Sequence, residues 1–224
     1  MKLKYVSIAL AALVAGTAPA QAAITVYTTL AAFNAATMAQ GTDTYTGFSI
    51  TGSTPSPIMR TAGVYGYTAA ASTSSFFGAG TTGNPWLSTN TATDTITFNT
   101  FTGGVQAAGG NFFDSNVSGA FAAGDITITA TDSSGTVTQT IVGATTASFR
   151  GFVSTGVLTS LTVAAVQPAS PIWPTVDNLV LAKRAEVVAG AVPETGTWLM
   201  MLAGFGLVGG AMRRRATVRI AQAV

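Results

Sequence analysis

The side chains able to do chemistry in this chain are few and mostly of one kind. Between Ala23 and Arg184 stand six Asp residues, Asp43, Asp94, Asp114, Asp125, Asp132 and Asp177, with no Glu among them, and the whole chain has neither His nor Cys. That excludes a Ser-His-Asp or Cys-His nucleophile and any zinc or copper centre built on imidazole or thiolate. Hydrolysis by paired carboxylates needs two acids at a defined separation. No two of these Asp residues stand at a telling spacing, so the chain reads as a non-enzyme. Asp and Asn do suit a hard cation with oxygen ligands. Asp114, Asn116 and Asp177 would form a calcium site if their strands were neighbours, although the chain has no EF-hand spacing and no Asp-rich repeat. The remaining candidates are aromatic. Tyr65, Tyr67 and Trp86 share one stretch with Phe76 and Phe77; they would stack on sugar rings if exposed, or seat that stretch on a core if buried.

The elements that must position these residues show in the apolar pattern. In the run from Asp94 to Asn99, Ile96 and Phe98 oppose Thr95 and Thr97, the period of two of a half-buried strand. The same alternation predicts strands over 125–131, 136–142 and 159–166. Asp132-Ser133-Ser134-Gly135 makes the first two of these a hairpin. Further strands are expected over 24–27, 44–50, 105–113, 148–154 and 176–181, and one short helix over Leu30 to Met38 with Thr29 as its cap. From Pro55 to Asn90 Pro, Ser and Gly interrupt the pattern, which predicts a long irregular excursion. Many short strands with Gly-rich turns indicate an all-β fold, an antiparallel β-sandwich of jelly-roll or lectin-like type.

Both ends carry other signals. Lys2 and Lys4 precede an apolar run from Tyr5 to Ala15, and Ala20-Gln21-Ala22 is the small-x-small pattern read by signal peptidase. Residues 1–22 are therefore expected to be a signal peptide, cut to leave Ala23 first. At the other end Trp198 opens a run of 15 uncharged residues to Met212, followed by Arg213, Arg214 and Arg215. At about 1.5 Å per residue it reaches roughly 22 Å, and its layout predicts a single transmembrane helix with its arginines inside. With the ends set aside, the body holds four basic residues, Arg60, Arg150, Lys183 and Arg184, against six Asp. It has no basic patch for nucleic acid.

The tail resembles the PEP-CTERM sorting domain of Gram-negative bacteria. The likeness rests on Val192, Pro193, Glu194, Trp198, the Gly-rich run 203–210 and the three arginines. Thr195 and Gly196 depart from the usual second Pro and bring Pro193 to Gly196 close to the Leu-Pro-x-Thr-Gly signal of Gram-positive sortases. Val192, Trp198 and the Gly-rich helix speak for PEP-CTERM. The resemblance implies a spacer at 185–192, a sorting signal at 193–215 and a cytoplasmic tail at 216–224. It also implies export, a precursor held at the inner membrane facing the periplasm, and cutting by an exosortase-type transpeptidase whose own Cys is the nucleophile. The product would be a structural protein of the cell surface or exopolysaccharide. The alternative is a carbohydrate-binding module for matrix polysaccharide, and a third reading is a hydrolase. The body, through 110–114, 148–152 and 176–179, is similar to β-sandwich ectodomains joined to such tails, a likeness of fold alone.

Overall fold

The computed structural model describes residues 23–186 and 195–214. Two compact units divide the chain, a body that ends at Ala185 and a tail that begins at Glu186. The body opens with β1 (Ile24–Tyr27), α1 (Leu30–Ala35) and β2 (Thr37–Asp43). It continues through β3 (Ser53–Thr54), β4 (Ile58–Ala62), β5 (Tyr65–Ala71), β6 (Phe76–Thr81), β7 (Asn84–Thr89), β8 (Thr95–Asn99) and β9 (Ala107–Ser115). It closes with β10 (Phe121–Ala122), β11 (Gly124–Asp132), β12 (Thr136–Ala144), β13 (Phe149–Ser154), β14 (Leu158–Val166) and β15 (Trp173–Arg184).

These strands form two antiparallel sheets. The first runs β1-β13-β9-β15-β7-β6-β3, with β2 also on β15 and β10 on β9; the second runs β12-β11-β14-β8-β5-β4. Phe112, Phe152, Leu87 and Val176 of the first sheet share one buried cluster with Ile96, Phe98, Ile128 and Leu161 of the second. The fold is thus an all-β sandwich whose main core lies between the sheets. A smaller cluster of Phe33, Phe149, Val153 and Val180 lies on the other face of the first sheet. There α1 settles because the strands beneath it carry Gly: a Cβ on Gly151 would come within 2.3 Å of the Phe33 ring.

The expected helix is present but shorter. Thr29 caps it by accepting the Ala32 N–H, and it ends at Ala36, where the Thr37 hydroxyl donates to the Phe33 carbonyl at 2.8 Å and the chain turns into β2. The strand expected over 44–50 is displaced to Thr37–Asp43 for the same reason. Tyr45 then adopts φ +53° after its N–H bonds the Asp43 carboxylate. The largest correction concerns Pro55 to Asn90, which is no irregular excursion but holds β4 to β7. Its inward positions are Ala62, Tyr65, Tyr67, Ala69 and Leu87, and the small residues among them hide the alternation.

The outer face of the second sheet is built from hydroxyls. Thr136, Thr131, Ser160, Asn99, Thr68 and Met59 are successive cross-strand partners, one row across all six strands. Thr127 and Thr140, Thr129 and Thr138, and Thr131 and Thr136 share hydroxyl hydrogen bonds at 3.2, 3.0 and 3.1 Å. Such threonine pairs fasten neighbouring strands without charge.

One ion pair ties the two sheets at their edge. Arg60 on β4 donates through Nε and one terminal amine to the two oxygens of Asp43 on β2, each at 2.7 Å, and Tyr67 of β5 donates its hydroxyl to the same carboxylate at 2.7 Å. Burial alone would raise the Asp43 pKa, but the bonds from Arg60, Tyr67 and the Tyr45 N–H outweigh it and hold the carboxyl below its ordinary 3.8.

The tail unit contains α2 (Thr195–Arg214). Every described side chain from Gly196 to Arg213 is exposed, including Trp198, Leu199, Met200, Leu202, Phe205, Leu207 and Met212. The helix expected there has formed. Yet among the described residues no helix is long and apolar enough to cross a membrane, which corrects the expected transmembrane span. Thr195, Gly196, Thr197, Arg213 and Arg214 occupy its ends and lower its apolar character. The signal peptide with Ala20 and Ala22, most of the spacer, Val192, Pro193, Glu194, Arg215 and the segment 216–224 lie outside the described residues.

Replacing Arg60 by Met should cost about 3 kcal/mol, because it strands the Asp43 carboxylate in the interior. Urea unfolding at pH 7 measures this. Since the folded pKa of Asp43 is depressed, its contribution is complete above about 4 and fades as pH falls through the folded value. The deficit of the variant should shrink in that acid window.

Candidate functional site

β15 is the longest strand, and its two edges differ. Along one it pairs with β9 from Trp173 to Ala182. Along the other it pairs with β7 at Thr175 and Val176, then with β2 from Leu179 to Arg184. Asp177 and Asn178 fall where β7 has ended and β2 has not begun. The register with β9 shifts at the same place, between Asp177 and Val180, and Asn178 takes φ +51°. Asn tolerates this left-handed conformation better than most residues, and a bulge of this kind re-aims the side chain it carries.

A cleft of about 210 Å³ opens beside this fork on the outer face of the first sheet. Asn34 reaches it from α1, Gln40 and Thr42 from β2, Asn111 from β9 and Asn178 from β15, over buried Phe149 and Val180. Asn111 donates its side-chain amine to the Thr146 carbonyl at 3.0 Å, and Gln40 donates to Thr37 at 2.7 Å and to the Asn34 carbonyl at 3.4 Å. The side chains of Asn34, Thr42 and Asn178 form no hydrogen bond within the protein.

Asp177 stands directly across from Asn111 on the same face and next to Asn178 in the chain. It is 5% exposed; Asn84 donates to its Oδ2 at 3.4 Å, and Oδ1 has no partner. Burial raises its pKa against the opposing bonds from Asn84 and the backbone at Asn178. The site thus offers two unengaged carboxamides and a hydroxyl over an apolar floor, with the desolvated Asp177 carboxylate beside it and outside its lining.

The residues singled out from the sequence fall elsewhere. Tyr65 and Tyr67 are 1% and 3% exposed, because the odd positions of β5 all turn into the core, so neither is available to stack on a sugar. Tyr65 donates its hydroxyl to the Ala39 carbonyl, and Tyr67 serves Asp43. Trp86 is half-buried, edge-on to Phe113 at 4.8 Å, with its indole N–H buried and unpaired.

The calcium trio is not brought together. Asp177 faces the same way as Asn111, and Asp114 lies three residues further along the same unbroken register, so the two carboxylates lie on opposite faces of the sheet. Asn116 spends its carbonyl on the Ser118 N–H, the Ser118 hydroxyl and the Ala120 N–H of its own turn. Among the described residues no three His, Cys, Asp or Glu side chains are grouped to hold a metal. Asp43, Asp94 and Asp132 each accept several hydrogen bonds and fasten loops; Asp94 takes bonds from Ser72, Thr73 and Ser74, and Asp132 from Ser134 and Ser154.

Sequence reasoning missed Asn34, Gln40, Thr42, Asn111 and Asn178 as a group. They come from four elements and have no shared spacing. The only signal was the Asp177-Asn178 pair within a strand of apolar residues, since Asp and Asn are depleted in strands. No family model, no curated protein and no solved structure matches the chain.

Asp114 invites a direct measurement. It is fully buried between the sheets, neither oxygen has a partner, and its Oδ2 lies so close to Gly124 that a Cβ there would approach within 2.7 Å. Burial, with the Asp125 charge added, pushes the carboxyl up to about 7. The folded state therefore keeps a proton that the unfolded chain releases near 3.8. Stability should fall as pH rises from about 4 to about 7, then level off. Asp114→Asn should remove this slope and gain about 2 kcal/mol at pH 8 but little at pH 4, read by thermal unfolding at both pH values.

Proposed function

We propose that this is an exported structural protein of the cell surface or its exopolysaccharide, a lectin-like sandwich delivered by its tail. The observation that carries the reading is the tail unit itself. It is an apolar helix separate from the body, with Trp198 near its start, Arg213 near its end and every described side chain from Gly196 to Arg213 exposed. Water penalises such a surface, so the helix needs an apolar environment, and the inner membrane supplies one. Trp198 and Arg213 both suit the interfacial zone of a bilayer, along which a helix can lie without crossing. Glycines at 204, 206, 209 and 210 leave smooth faces on which another membrane helix can pack closely.

In this reading the motif from Pro193 to Gly196, whose last two residues open α2, is presented to an exosortase-type transpeptidase. The chain is a substrate and contributes no catalytic group. The body is released or attached at the surface after signal peptidase has removed residues 1–22. A hydrolase finds less support, because the carboxylates of the body are scattered over loops, core and both faces of one sheet.

The test is mass spectrometry of the C-terminus of surface-exposed protein from cells with and without the transpeptidase. The expected result is a new end near Pro193 to Gly196 in normal cells and an intact Val224 in the deletion strain. Finding Val224 intact on surface protein from normal cells would sink the proposal.

A further inference from the structure

The fork in β15 carries an inference that does not depend on the tail. We propose that the cleft between α1, β2 and the first sheet binds a neutral saccharide, one sugar ring at a time. The argument begins with size. At about 210 Å³ the cleft is smaller than the roughly 300–1,000 Å³ of pockets for drug-sized ligands, which leaves room for a single ring.

The hydrogen-bonding inventory then selects the chemistry. Asn34 and Asn178 each offer an amine and a carbonyl, and Thr42 a hydroxyl, none of them engaged inside the protein. Gln40 has committed both N–H groups of its carboxamide and Asn111 one of its two, so they add mainly acceptor capacity. Donors and acceptors are therefore mixed, and a ligand whose every group both donates and accepts satisfies them best. Sugar hydroxyls do so.

Charge argues the same way. The lining contains no Lys or Arg to meet a phosphate or carboxylate. Arg150, the cation of neighbouring β13, follows Phe149 in the strand and so turns to the opposite face. An anionic glycan would find no countercharge in the lining, and the neighbouring carboxylate of Asp177 would repel it.

Two further observations mark a built site. Asp177, next to Asn178 and across from Asn111, is more than nine-tenths buried with Oδ1 unpartnered, so a costly desolvated carboxylate stands directly beside the lining. Asn178 is held at φ +51° in the bulge that places its side chain in the cleft. A residue kept in an unfavoured conformation at an open site is the usual mark of a side chain fixed for contact. Phe149 and Val180 below supply the apolar floor against which the C–H face of a sugar ring packs.

The full-length protein, in a polyoxyethylene detergent that carries no sugar, should be examined by saturation-transfer NMR and titration. The probes are neutral hexoses, N-acetylhexosamines and soluble neutral glucans, with hexuronic acids as the charged comparison. The expected result is saturable binding of at least one neutral probe, with the hexuronic acids weaker. Asn178→Gly keeps the backbone conformation while deleting the amide, and Asn34→Ala alters an exposed helix position that the fold does not use. Each should weaken binding roughly tenfold without moving the melting temperature. Absence of binding across the neutral panel would overturn the proposal. So would a preference for the acids, or binding unchanged in both variants.

Discussion

Asp43 sits on one sheet and receives both arms of Arg60 and the Tyr67 hydroxyl from the other, at 2.7 Å in each case. In a chain with so few charges and no cysteine, this is where a charged pair joins the two layers, beside neutral bonds such as Tyr65 to the Ala39 carbonyl and Ser154 to Asp132. Among the described residues it is the sole ion pair. It also fixes geometry: Asp43 ends β2, so holding it sets the height at which β2 lies along β15 and hence where Gln40 and Thr42 fall. The Arg60 guanidinium stands over the Tyr45 ring at 5.3 Å, which keeps the left-handed turn after β2 packed down. The cleft on the far face of the first sheet thus inherits its shape from a contact at the sandwich edge.

The two faces of the first sheet do different work. Its inner face is continuous with the common core. Its outer face is covered in sections, by α1 over Gly151 at one end and by the 116–122 loop at the other, where the Gly80 N–H donates to the Gly119 carbonyl. Between the covers lie Asn111, Asp177 and Asn178. The polar residues of the site are therefore what remains of a face that is otherwise closed, which is why they are partly desolvated.

How much of this was legible in the sequence follows from burial. β8, β11, β12 and β14 have one wet and one dry face, so Ile96 and Phe98 against Thr95 and Thr97 announced a strand. β6 and β7 have both faces largely covered and use Gly78, Ala79, Ser88 and Thr89 as buried residues, a pattern that imitates a loop. Tyr65 and Tyr67 were ambiguous for the same reason: aromatic side chains at alternate positions identify a strand but not which of its faces is wet. The separation of Asp114 from Asp177 needed only parity, but parity needs the register, and the register is set by pairing across more than sixty positions of chain. The cleft was beyond reach because Asn34 and Asn178 meet only through β2, β15 and the helix. In the tail the helix was legible because its apolar run is contiguous, whereas its capacity to span was overstated.

The hydroxyl rows on the second sheet have a consequence of another kind. The row from Thr136 to Met59 carries no Asp, Glu, Lys or Arg; the carboxylate of Asp125 stands apart from it, at the start of β11. Counter-ions have nothing there to gather around or screen, and no group there titrates between acid and alkali. Its wetting is owed to neutral groups, the hydroxyls and the Asn99 carboxamide. A row solvated in this way presents the same surface at low and at high salt, so contacts made through it are indifferent to ionic strength.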